Sequence, residues 1–108
     1  MHNRIALGTI DGITLNSGHF GQSRTFVIYE REPDGSFQKI EERANPFYEN
    51  HQHADFEQIL PVLQDCGTWI ARTMGKGSVV KLQQRGYNPV LVNATTVEHA
   101  LSEWASST

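Results

Sequence analysis

The chain has a single cysteine, Cys66. A lone thiol forms no intrachain disulfide and cannot hold a four-thiolate iron–sulfur cluster. Any such cluster would have to arrive preassembled and bind through very few protein ligands. No apolar run approaches the roughly 20 residues that span a bilayer. The N-terminal Met1-His2-Asn3-Arg4 has no signal-peptide pattern. The expected compartment is therefore the reducing cytoplasm, with no membrane partner. Basic residues are not in excess, with 9 Lys+Arg against 12 Asp+Glu. That balance argues against a general binder of nucleic-acid backbones, though a local basic pocket remains compatible with it. No Walker sequence, G-x-G-x-x-G, internal repeat, low-complexity tract or linker occurs. At 108 residues, one domain over 1–108 with one real core is expected.

What is present is a succession of strand and helix patterns. Arg4 to Ile10 is mostly apolar and reads as a central strand buried on both faces. Thr25 to Glu30 is aromatic and β-branched, a second strand. Glu32 to Ser36 carries Asp34-Gly35, a hairpin signal, and Phe37 to Arg43 is the returning strand with a charged outer edge. After Asn45-Pro46, a helix presents Phe56, Ile59, Leu60 and Leu63 on one stripe. Pro61 requires that helix to kink or to start late. Thr68 to Ala71 reads as a short buried strand. A glycine-rich loop, Met74 to Ser78, leads into a helix expected to turn Val79, Val80 and Leu82 inward and to stop at Gly86. Val90 to Val92 is a strand. The last helix has a capping-box spacing, Thr95 to Glu98, and an inward stripe of Val97, Ala100, Leu101 and Trp104. Trp69 is a second tryptophan expected in the core. The order is β-β-β-α-β-α-β-α. A hairpin followed by a βαβ crossover implies one mixed, twisted sheet covered by helices.

Gly18-His19-Phe20-Gly21 follows the first strand. It reads either as a surface turn or as a ligand loop with an imidazole on a glycine-flanked backbone. If the first and fourth strands are neighbours, this loop faces Met74 to Ser78 across one crevice. His19, the backbone N–H groups of Gly75, Lys76, Gly77 and Ser78, and the Lys76 cation could then surround an anion, with Arg24 and Arg72 near the rims. His51 and His53 flank Gln52, a spacing that can clamp a metal or belong to a solvated loop. Cys66 could ligate iron or pack. Asp55, Glu57 and Asp65 read as a solvated helix face, and His99 as exposed.

An ordered set of segments carries a resemblance over nearly the whole chain. They are Ile5-Ala6-Leu7 with Asp11-Gly12, Gly18 to Gly21, Phe26 to Glu30, Arg43 to Phe47, Leu63 to Cys66, Ile70 to Gly75 and Gly86 to Val92. The set resembles the dinitrogenase iron–molybdenum cofactor biosynthesis family, the group of NifX, the NafY core domain and the NifB C-terminal domain. The resemblance implies a ribonuclease H-like three-layer α/β/α fold, with a five-stranded mixed sheet of order 3-2-1-4-5 and strand 2 antiparallel. It implies non-catalytic binding or carriage of an iron–molybdenum cofactor, a precursor iron–sulfur cluster or another molybdenum-containing sulfide cluster such as that of the orange protein. His19 is the implied cluster ligand, within a site of Gly18, Phe20, Gly21, Arg24, Arg72, Met74, Gly75, Lys76 and Gly77. His51, His53 and Cys66 are secondary metal candidates. Cluster-assembly or acceptor proteins are the implied partners of a monomer or weak homodimer. Two departures stand out. The loop before the first helix holds only two of the family's frequent histidines, and Arg72-Thr73 stands where extra glycine is common. The alternatives are a cofactor-free interaction module using the Phe37 to Arg43 edge, and a metal-dependent nuclease suggested by the fold alone. For the nuclease, Asp11 lies beyond the first strand, not within it.

Overall fold

A computed structural model of the chain describes residues 4–48 and 56–107. The elements are β1 (Arg4–Thr9), β2 (Thr25–Arg31), β3 (Phe37–Ala44), α1 (Phe56–Leu63), β4 (Thr68–Ala71), α2 (Lys76–Gln84), β5 (Asn88–Leu91) and α3 (Val97–Ser107). A 3₁₀ turn, Phe20–Gln22, lies between β1 and β2. The sheet order is β3-β2-β1-β4-β5. β2 is antiparallel to both neighbours, and β1, β4 and β5 run parallel. This is the topology that the resemblance implies.

Alternation along the strands sorts the core into two layers. Ile5 and Leu7 of β1 face one side with Val27 and Ile70, and α3 covers them with Val97, Ala100 and Leu101. Ala6 faces the other side with Phe26, Ile28 and Trp69, under Phe56, Ile59 and Leu63 of α1 and Leu82 of α2. Helices thus cover both faces of one sheet.

Local chemistry sets the element ends. Gly86 has φ +88°. Beside it, Tyr87 N donates to Leu82 O at 3.0 Å and Gly86 N to Gln83 O at 3.1 Å, a left-handed cap that stops α2. β5 is an edge strand. Asn88 N and Val92 N donate to Gly67 O and Ala71 O, while Pro89 falls where no inward donor is needed. At the opposite edge, the register passes from Ile28↔Glu41 to Tyr29↔Lys39. Ile40 is the extra residue, and this bulge together with the charges of β3 blunts the edge.

Several expectations are corrected. Val80 is 51% exposed. At about 100° per residue, Val79 and Leu82 share a face that Val80 does not. The α3 cap is Thr96, whose hydroxyl accepts from His99 N at 3.3 Å. Thr95 instead offers its carbonyl to Leu15 N. Pro61 lies inside α1 and not at its start, and it faces solvent. Trp104 keeps its place on the inward stripe, packed against the core, but is only half-buried, its ring 6.1 Å from that of Phe37 and 5.4 Å from the Arg31 guanidinium. Asp65 is not part of a solvated helix face. It follows α1 and accepts two bonds of 2.7 Å from Arg43 and one of 2.9 Å from Arg4. The paired guanidinium of Arg43, followed by that of Arg4, holds the Asp65 carboxyl far below the usual carboxylate range. Asp55 lies outside the described residues.

Candidate functional site

Because β1 and β4 are parallel neighbours, the loops after their carboxyl ends meet over one crevice. The first loop is tied down from several sides. His19 forms a parallel bridge with Thr73, and Phe20 N donates to Thr73 O at 3.1 Å. The His19 carbonyl accepts from Asn16 Nδ2 at 2.8 Å and from Gln22 N at 2.9 Å. Buried Asn45 brackets the far side. Its Nδ2 donates to Gly21 O at 3.0 Å and Ser23 O at 2.7 Å, and its Oδ1 accepts from Phe47 N at 3.0 Å. The Phe20 ring is buried, stacked on Trp69 at 5.6 Å and tilted against Phe26 at 5.1 Å.

The glycine that this loop needs most is Gly8. A Cβ there would run into the Ser23 hydroxyl and come within 3.1 Å of the Phe20 ring. Its absence lets the loop lie on β1. The glycines beside His19 serve differently from the sequence expectation. Left-handed backbone occurs at Gly12, Gly35 and Gly86, not at Gly18 or Gly21.

The second loop opens α2. Gly75 is its N-cap, in extended conformation and with no side-chain cap. The N–H groups of the first helical turn therefore carry no capping side chain at this end. Between the loops lies a cleft of about 130 Å³. Among the described residues, His19, Phe20 and Gly21 line it from the first loop, and Met74, Gly75 and Ser78 from the second. Phe56, Ile59, Trp69 and Leu82 complete its walls.

The structure thus brings together His19, Phe20, Gly21, Met74 and Gly75 of the expected set. Gly18, Arg24, Arg72, Lys76 and Gly77 do not line the cleft. Arg24 is exposed, with its guanidinium 5.9 Å from the Tyr48 ring centroid. Lys76 and Gly77 are exposed in the first turn of α2. His51 and His53 lie outside the described residues. Cys66 precedes the start of β4, at the end away from the two loops, and does not line the cleft. It is fully buried in the core. Burial and then the Asp65 charge push its thiol up to about 12.

The apolar walls were not expected as part of the site. Phe56, Ile59, Trp69 and Leu82 carry a signal that a core and a pocket share, and only the gap between the loops separates the two meanings. Two cations beside the Phe56 wall were also missed, though neither lines the cleft. Lys81 Nζ lies 5.7 Å and the Arg85 guanidinium 5.2 Å from the Phe56 ring centroid.

Chemically, the cleft offers one imidazole, one soft thioether from Met74, the N-terminal end of α2 at Gly75 and Ser78, and an aromatic floor. Among the described residues, no group of three or more His, Cys, Asp or Glu could hold a metal ion. The donor set suits weak attachment of a preformed anionic group better than construction of a multi-ligand metal centre.

The fold recurs in solved structures of low identity. The crystal structure of PH0822 matches with TM-score 0.75 at 16% identity, covering 97% of this chain and 91% of that one. A Thermotoga protein, TM1290, provisionally named as NifB and placed in the DUF35 family, matches with TM-score 0.66 at 17% identity, covering 96% and 88%. The apo form of the orange protein from Desulfovibrio gigas matches with TM-score 0.70 at 16% identity, covering 99% and 90%. A search of curated protein sequences returns no match. The model of the family described as dinitrogenase iron-molybdenum cofactor matches residues 1–107, and this chain belongs to that family.

Proposed function

We propose that this domain is a non-catalytic carrier of a preassembled metal–sulfur cluster: an iron–molybdenum cofactor, its precursor or another molybdenum-containing sulfide cluster. It would act in the cytoplasm and pass its cargo to cluster-assembly or acceptor proteins. The observation that carries the reading is His19. It is half-buried at the mouth of an apolar cleft, on a backbone held by the Thr73 bridge and the Asn16 and Gln22 bonds. The cargo is a bulky sulfide-rich anion. One imidazole bond attaches it, the first-turn N–H groups of α2 and the exposed Lys76 cation complement its charge, and the aromatic floor receives its sulfide face. Holding it through one nitrogen, without several thiolates, leaves release accessible. Membership of the family supports a role in cofactor binding or biosynthesis.

Asp11, the carboxylate closest to a nuclease role, is engaged elsewhere. Its Oδ1 accepts from Ile13 N at 2.9 Å and Thr14 N at 2.7 Å, which shapes the turn after β1.

Anaerobic reconstitution with isolated cofactor, gel filtration and metal analysis tests the reading. Wild type is expected to retain molybdenum and iron, and His19→Ala to lose most of both while keeping its circular dichroism spectrum. Equal and negligible metal in the two proteins would sink the proposal.

A further inference from the structure

The charges of this chain are segregated. Between Cys66 and Val97 lie Arg72, Lys76, Lys81 and Arg85, and no Asp or Glu. All 12 acidic residues of the chain lie outside that stretch. The fold turns this asymmetry into geometry, because the stretch is β4, α2 and β5, one edge of the sheet with its helix. Lys76 and Lys81 are exposed on α2, and Arg85 is exposed at its C-cap. Among the described residues, none of these four cations forms a salt bridge; of the other five, Arg4, Lys39 and Arg43 do and Arg24 and Arg31 do not. Two large apolar side chains are exposed on the same edge, Val80 at 51% and Leu91 at 52%. Leu91 pairs with Ala71, whose side chain is on the face that α2 covers.

We propose that the outer face of α2 is a docking surface for a partner protein that presents an acidic patch. Apolar anchors within a cationic surround match the anatomy of a protein interface. A net-negative chain with one basic face is steered toward an acidic partner in a fixed orientation. Nucleic acid is disfavoured because the other faces would repel it. A second copy, pairing this face with its own acidic side, would make a heterologous head-to-tail contact, which builds rings or filaments and not a closed two-fold dimer.

The position of the face gives docking a purpose. α2 begins at the cleft, where Gly75 and Ser78 line it, and Lys81 and Arg85 stand over the Phe56 ring of the cleft wall. A partner seated on α2 lies beside the cleft mouth, where cargo could pass without entering bulk water. This purpose rests on the carrier reading; the docking itself does not.

The test uses the cargo-free protein, ¹⁵N-labelled, titrated with a poly-glutamate peptide at low and moderate salt. Amide shifts are expected to cluster on residues 76–85 and at Leu91. Lys81→Glu with Arg85→Glu should weaken binding on the order of tenfold or more, and Lys81→Gln with Arg85→Gln by less. His19→Ala should dock like wild type, so docking and cluster loading fail separately. The proposal is overturned by shifts spread equally over Arg24 and Arg31, by absent binding, or by charge reversal without effect. Tighter binding of duplex DNA or anionic vesicles at α2, or concentration-dependent shifts without peptide, would also overturn it.

Discussion

Asn45 is the residue through which stability and the site are most directly coupled. It is buried, and its amide bonds three backbone groups: Gly21 O, Ser23 O and Phe47 N. Asn45→Ala removes all three bonds. Each is worth about 1 kcal/mol net, and leaving the buried Ser23 carbonyl without this donor adds a desolvation cost of about 1 kcal/mol. The expected loss is therefore about 3–4 kcal/mol, or roughly 13–18 °C in Tm for a domain of this size. Urea unfolding followed by tryptophan fluorescence measures it, and an unchanged m-value would show that the native fold is retained. Asn45→Asp gives the sharper control. It keeps the shape but aims a carboxylate at two carbonyl oxygens, so the folded state raises its pKa. Its penalty is then small below about pH 4, the unfolded value, and grows as pH rises above it. At neutral pH, Asp should be worse than Ala. In the same variants the His19 loop loses its far bracket, so cluster retention should fall even where the protein is fully folded. A loss below 1 kcal/mol for Asn45→Ala, or an Asp variant as stable as wild type, would refute the bracket.

Two further outcomes follow from the opposite end of the sheet. Asp65→Asn should cost roughly 1–2 kcal/mol, modest for three charged bonds because the side chain is partly exposed to solvent. The folded pKa of Asp65 is depressed. Its contribution is therefore complete above the unfolded carboxylate value of about 4 and is lost as pH falls below it. Acid titration of wild type against Asp65→Asn should show the two stability curves converging below that point, and parallel curves would refute the assignment. Cys66, with its thiol pushed up to about 12 by burial, should resist alkylation at pH 8 until the protein unfolds. Rapid stoichiometric labelling of the native protein, or loss of cluster loading in Cys66→Ala, would place the thiol in the site after all.

The fold was legible because its signals are local and redundant. β1, β2 and β4 are short apolar runs between turn residues, and α3 shows its 3.6 period. The pairing of β1 with β4, which makes the site, is a long-range fact. Sequence periodicity did not contain it; the ordered resemblance did. The errors have a common origin. Val80 and Val79 are chemically identical neighbours, and only the angle of α2 against the sheet separates an inward valine from an exposed one. Thr95 and Thr96 both fit a cap, and the choice fell to the residue whose hydroxyl reaches His99 N. Asp65 looked solvated because its partners, Arg4 and Arg43, are 61 and 22 residues away in the chain.

The same reasoning explains why the site was only half visible. His19 announces itself by chemistry, as an imidazole on a glycine-flanked loop. Trp69 and Phe20 announce only hydrophobicity, which most often means core, and they are core. Their rings stack beneath the cleft, and the Trp69 indole donates to Cys66 O at 3.0 Å, so no polar atom of the ring is left to the ligand. A floor of that kind binds no ion strongly. On the carrier reading proposed above, it would exclude water from a sulfide-rich surface and leave directional attachment to His19 and to the helix N–H groups. Tight holding would need more donors at the rim, and release would then be slow. On that proposal, the sparse donor set and the apolar floor would be two parts of one arrangement, suited to a cargo that must be kept from solvent and later given up.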